Sequence, residues 1–209
     1  MTNTKGVCIW FTGRSGAGKS TITNQLIPRL EACGRTITLL DVVPLLAKQW
    51  CEKTSEGKLL RKGFVASEVV RHGGIAICVT VSARRETREA VRQMVGPDNF
   101  VEVYVDVPQE VALARKAKRP KKRPLIKRAR AWLRQILNAI RPGESVSYEK
   151  PTSADLIFDA TRQPPEETSE AIFQLLIERG FLVVDDGQKN GQVKVKTAES
   201  EQVARQLAS

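Results

Sequence analysis

Residues Gly13-Arg-Ser-Gly-Ala-Gly18-Lys19-Ser20 follow the spacing GxxxxGK[ST]. This pattern suits one task, holding the phosphates of a nucleotide. Its glycines let the backbone curl, so that successive N–H groups point inward at an anion. The helix it opens turns a positive N-terminus toward the same anion. Lys19 is placed to bridge the β- and γ-phosphates, and Ser20 to offer its hydroxyl to Mg²⁺. The loop Gly13, Arg14, Ser15, Gly16, Ala17, Gly18, Lys19, Ser20 and Thr21 is therefore the expected ATP site.

Other common catalytic groups are scarce. His72 is the only histidine and has no zinc-ligand spacing around it, so it reads as a surface residue at a helix end. Of the four cysteines, Cys8, Cys33, Cys51 and Cys78, none forms a CxxC pair. Cys8 and Cys78 fall inside apolar runs and read as small core residues.

Such a loop must be carried by a strand and a helix. Short, continuous apolar runs recur at Val7–Thr12, Thr36–Leu40, Ile75–Val81, Phe100–Val105 and Leu156–Phe158. Continuous rather than alternating runs are what strands buried on both faces of a parallel sheet require. Helical patterns lie between them at Lys19–Cys33, about Gly57–Arg71, about Arg84–Met94, from Gln109, and at Glu166–Arg179. The expectation is an α/β fold of three layers, with a five-stranded parallel sheet.

The chain has 209 residues, 41% hydrophobic and 27% charged, enough for one domain with a sizeable core. No run reaches the ~18 apolar residues of a membrane span. The first residues lack a signal peptide's basic start, so the cytoplasm is the expected compartment. The net charge is +11. Between Val111 and Gly143 there are twelve Lys and Arg and no acidic residue, so the basicity is regional. No set of stacking aromatics accompanies it, which argues against nucleic acid.

Three features point from a nucleotide site to a small kinase. The chain is short, and no Asp follows the third strand. The basic segment lies between the fourth and fifth strands, where small kinases carry a lid over the transferring phosphoryl group. The expected layout is a P-loop kinase domain over 1–184, with a basic helical lid at about 116–147, and a tail over 185–209. Pro120 and Pro124 interrupt the lid, and Leu125–Ile140 has amphipathic spacing.

These blocks resemble the adenylylsulfate kinase family. The similar stretches are GVCIWFTGRSGAGKSTIT (Gly6–Thr23), LLD (Leu39–Asp41), VSARRETR (Val81–Arg88), FVEVYVDVPQEV (Phe100–Val111), LIKRARA (Leu125–Ala131) and SYEKP (Ser147–Pro151). The resemblance implies an ATP- and Mg²⁺-dependent transfer of phosphate to the 3′-hydroxyl of adenosine 5′-phosphosulfate, in sulfate assimilation. It implies ATP and a small anionic acceptor as partners, with a homodimer as an expected assembly. By match to the family's motifs, Asp41 is a catalytic carboxylate, with a strand-end cap as the other reading. Ser82 stands at a serine often assigned as a phosphoserine; direct transfer to a sugar hydroxyl needs no covalent serine, so a structural or orienting role is expected. Arg61 and Arg85 match acceptor-side cations, Arg115 a nucleotide-side arginine, and Lys127 and Arg130 the lid's basic pair.

The sequence departs from the family in the acceptor half. Val43 and Leu46 replace a carboxylate and an arginine, only Arg61 survives clearly of the basic stretch at Thr54–Arg61, and the family's FTGI has no match near Ala139-Ile140. Two other readings therefore stay open. One is a kinase of a different hydroxylated nucleotide or metabolite, the other an inactive ATP-binding regulator.

Overall fold

The computed structural model describes residues 5–40, 55–118 and 147–183. Asp41, Lys127 and Arg130, most of the expected lid and the expected tail lie outside the described residues.

The strands are β1 (Val7–Thr12), β2 (Ile37–Leu39), β3 (Ile75–Val79), β4 (Phe100–Asp106) and β5 (Leu156–Asp159). The helices are α1 (Lys19–Ala32), α2 (Ser55–Arg71), α3 (Arg85–Val95), α4 (Gln109–Lys118) and α5 (Pro165–Glu178). One sheet of five strands, ordered β2-β3-β1-β4-β5, is parallel at every pairing. The third strand stops at Val79, short of the expected Val81. It stops because the chain turns at Ser82, whose φ of 35° lies in the left-handed region.

Alternation along β1 builds the two faces. Val7, Ile9 and Phe11 pack with Ile22, Leu26 and Leu30 of α1 and with Ile172 and Leu176 of α5. Cys8 and Trp10 point the other way, to Ala66 and Val70 of α2 and Val91 and Val95 of α3. Every residue of β1 is buried, which explains its unbroken apolar run. Gly63 of α2 faces Val91 of α3, where a Cβ would come within 2.9 Å, so its missing side chain sets the close approach of the two helices.

Cys8 and Cys78 are core residues, as their apolar setting requires, and burial pushes the Cys8 thiol well up. His72 is exposed just past the end of α2. At the opposite end of the sheet from the loop, Arg35 donates to the carbonyls of Lys5 and Gly73, both at 2.9 Å, and to that of Phe181. One guanidinium thus fastens three distant stretches of chain.

Candidate active site

Between β1 and α1 the chain makes the loop expected from the sequence. Gly13, Gly16 and Gly18 have φ of 137°, 98° and 104°, values that L side chains rarely adopt. Two of them are also pressed against backbone: a Cβ on Gly13 would strike the Val105 carbonyl, and one on Gly16 would sit 2.5 Å from the Ala112 carbonyl. The loop is therefore seated on the end of β4 and on α4. No side chain caps α1, and its first turn contains no acidic residue, so the positive end of the helix is left for an external anion.

Lys19 is 7% exposed, and its ammonium folds back to donate to the Gly13 carbonyl at 2.7 Å and the Arg14 carbonyl at 2.9 Å. Ser20, next along α1, is partly exposed. A cleft of about 250 Å³ opens beside the loop, lined by Gly16, Gly18, Thr21, Arg115, Phe158 and Ala160 among others. Arg115 is held on its wall by a 2.9 Å bond to the Ala160 carbonyl. The structure thus brings together the loop, Lys19, Ser20, Thr21 and Arg115.

Of the other expected residues, Arg61, Ser82 and Arg85 are among those described. Arg85 is exposed at the start of α3, and Arg61 is half-buried on α2. Arg84 and Glu56 pair at 2.8 Å and tie the first turns of these two helices. Ser82 is 2% exposed. Its Oγ accepts from Trp10 Nε1 at 3.1 Å, lies 2.9 Å from Thr80 Oγ1 and donates to Thr12 Oγ1 at 2.8 Å. That is a buried joint between β1 and the turn after β3.

Sequence reasoning missed what surrounds this joint. Tyr148 is 8% exposed, its hydroxyl is 2.8 Å from Thr12 Oγ1, and its ring stacks on Tyr104 with centroids 5.8 Å apart. Burial pushes its hydroxyl up to about 12, with smaller opposing contributions from the Thr12 bond and the Arg88 charge. Asp106 ends β4 and accepts from its own turn at Val107 N (2.9 Å), from Tyr104 (2.7 Å) and from Lys150 (2.8 Å). Partial burial pushes its carboxyl up, but the bonds from Lys150 and Tyr104 outweigh it and hold the carboxyl below its ordinary value.

Beneath Tyr148, Arg88 is 3% exposed. Its Nε lies 3.0 Å from Glu102 Oε1 as an ion pair without hydrogen-bond alignment. Its two terminal nitrogens donate to the Ser82 and Ala83 carbonyls at 2.7 and 3.2 Å and to the Glu149 carbonyl at 2.9 Å. A signal was available: Glu102 is a lone charge inside the apolar run FVEVYV, and a buried carboxylate demands a cation. Arg88→Met leaves Glu102 with Arg92 alone at 3.1 Å and takes the Arg88 donor from the Ser82 and Glu149 carbonyls, while the Ala83 carbonyl keeps the Glu149 N–H. The expected loss is about 3–5 kcal/mol, the range for breaking a buried pair on one side. Urea unfolding of the variant beside the wild type measures it, and the double variant Arg88→Met with Glu102→Gln should recover part of the loss.

A phosphate loop on the central strand of a parallel sheet, with helices on both faces, is the architecture of the P-loop kinases. The adenylylsulphate kinase family model matches residues 5–159. An adenylyl-sulfate kinase of Synechococcus sp. (strain JA-3-3Ab) is 34% identical over 183 residues, which is 85% of this chain and 98% of that protein. The chain belongs to the adenylylsulphate kinase family. Among solved structures, the hexameric APS kinase from Thiobacillus denitrificans has a TM-score of 0.59 at 28% identity and covers 88% of this chain. This chain spans only 31% of that longer protein. The Mycobacterium tuberculosis APS kinase in complex with AMPPNP and APS has a TM-score of 0.65 at 23% identity, covering 83% of this chain and 99% of the other, a likeness of fold.

Proposed function

We propose that this chain transfers the γ-phosphate of ATP to the 3′-hydroxyl of adenosine 5′-phosphosulfate. The observation that carries the donor half is the buried Lys19 ammonium, held on the loop carbonyls of Gly13 and Arg14 in front of an uncapped helix end. Exchange of those carbonyls for phosphate oxygens keeps the ammonium satisfied. The loop N–H groups hold the β-phosphate, and the cleft beside Arg115 takes the rest of the nucleotide.

The donor set fits Mg²⁺. Ser20 offers a partly exposed hydroxyl as a ligand. Mg²⁺ prefers this setting, keeping water and phosphate oxygens as most of its ligands. When bound, it supplies positive charge to the β- and γ-oxygens.

On the acceptor side, Asp41 is assigned as the group that takes the hydroxyl proton. Arg61, Arg85, Lys127 and Arg130 are assigned as cations for the acceptor's anionic groups. The kinase domain is assigned to 1–184, with the basic lid at about 116–147. The same reading places the enzyme in the cytoplasm and allows a homodimer. Among the described residues, no helix is long and apolar enough to cross a membrane.

A second reading, a kinase of another hydroxylated nucleotide or metabolite, is favoured by Val43 and Leu46 in the rewritten acceptor half. A coupled ADP-release assay decides between the two. ADP release driven by adenosine 5′-phosphosulfate above that with other nucleotides and sugars is the expected result. Faster release with another hydroxyl compound overturns the acceptor assignment, and no release with any compound overturns the kinase reading.

A further inference from the structure

The segment Ser147–Pro151 makes contacts on three sides of the site. Tyr148 bonds Thr12, the residue before the phosphate loop, and its ring lies under the Arg14 guanidinium at 5.8 Å. The Glu149 main chain donates to the Ala83 carbonyl at 2.9 Å and accepts from Arg88, also at 2.9 Å. The Glu149 carboxylate accepts from the Arg85 N–H at 2.8 Å and so caps α3. Lys150 pairs with Asp106 at the tip of β4. Within this segment Tyr148 alone touches the donor loop and also joins, through Thr12, the Ser82 hydroxyl at the turn that leads to Arg85.

We infer that Tyr148 is a positioning residue that braces the direct Thr12–Ser82 and Thr12–Val81 bonds between the phosphate loop and the Ser82–Arg85 turn, so that filling the loop fixes the geometry of the acceptor side. The physical basis is the sharing of hydroxyl groups. Thr12 Oγ1 lies between Tyr148, Ser82 and the Val81 carbonyl, at 2.8, 2.8 and 2.9 Å. All of these groups are buried or part-buried, where an unmet hydroxyl is costly and the set keeps one arrangement. In-line phosphoryl transfer is sensitive to displacements of about 1 Å. A joint that fixes donor and acceptor walls together therefore acts on turnover more than on the affinity of either ligand. This inference rests on the kinase reading, but part of its test does not.

Tyr148→Phe removes only the hydroxyl and keeps the ring under Arg14. The expected result is a kcat about 10- to 100-fold lower, with the KM for ATP and the melting temperature close to wild type. Thr12→Val, which also removes the bonds to Ser82 and the Val81 carbonyl, should give at least the same loss, and the double variant no more than Thr12→Val alone, because both act on one joint. Amide hydrogen exchange supplies the readout that needs no acceptor. In the wild type, AMPPNP should slow exchange over both Gly13–Lys19 and Ser82–Arg85. In Tyr148→Phe it should slow only the first. If protection spreads equally in both proteins, or if kcat is unchanged, the inference is wrong. It is equally wrong if the variant exchanges faster across the whole sheet and melts lower, which marks a merely structural residue. A wild type that ignores adenosine 5′-phosphosulfate removes the proposed acceptor and leaves the exchange comparison standing.

Discussion

Lys19→Ala should abolish phosphoryl transfer and weaken ATP binding more than ADP binding. The ammonium is buried and hydrogen-bonded to the loop, and the proposed reaction develops charge on the transferring group beside it. Preorganised charge in a water-excluded site acts with little reorganisation, and loss of even one neutral donor in such a position costs about 10²–10³ in rate. A full cation facing the β- and γ-oxygens should exceed that figure. The difference between ATP and ADP follows because only ATP carries the γ-phosphate that Lys19 is proposed to contact. ADP release measures the rate, and calorimetry with AMPPNP and ADP measures the two affinities. Normal turnover in the variant would remove the loop from the donor role and the kinase assignment with it.

The second large effect concerns Asp41. Asp41→Asn keeps the shape of the side chain and removes both the proposed base and its charge. With the second family carboxylate replaced by Val43, no neighbouring acid at that position is left to take over the proton. Turnover should fall by about 10²–10⁴-fold, the usual range for a general base, while ATP still binds. Single-turnover kinetics beside AMPPNP calorimetry separate the two quantities. An unchanged rate would leave Asp41 as a cap at the end of β2 and move the proton acceptor elsewhere.

The donor half could be read from the sequence because its chemistry is local. Eight consecutive positions carry the loop, and its flanking elements announce themselves, β1 by an unbroken apolar run and α1 by Ile22, Leu26 and Leu30 spaced four apart. The strands of the sheet were legible for a similar reason: burial on both faces leaves β1 and β3 with no polar interruption. Ser82 and Tyr148 were not legible as a joint. The bond that defines it spans 136 positions between Thr12 and Tyr148, and no periodicity reports a contact of that range. The left-handed φ of Ser82 was equally hidden, since such a turn is read from glycine and this one is held by four neighbouring hydrogen-bonding groups instead. SYEKP, short and uninformative by composition, turns out to hold the three sides of the site together.

The strand order also governs how the protein is made. β1 emerges from the ribosome before the other four strands yet lies in the middle of the sheet, with Val7 beside Ile75 and Cys8 beside Phe100. At synthesis rates of about 5–20 residues per second, it waits several seconds for both neighbours. Early in that wait only α1 is at hand to cover Val7, Ile9 and Phe11, Trp10 on the other face stays bare until α2 and α3 follow, and both edges of the strand can pair with another chain. Arg35 waits longer still, because one of its three carbonyls belongs to Phe181. Non-local pairing of this kind slows folding. Truncation before Phe100 should leave an aggregating fragment rather than a smaller nucleotide-binding protein, and yield on expression should depend on chaperone supply more steeply than the stability of the finished fold would suggest.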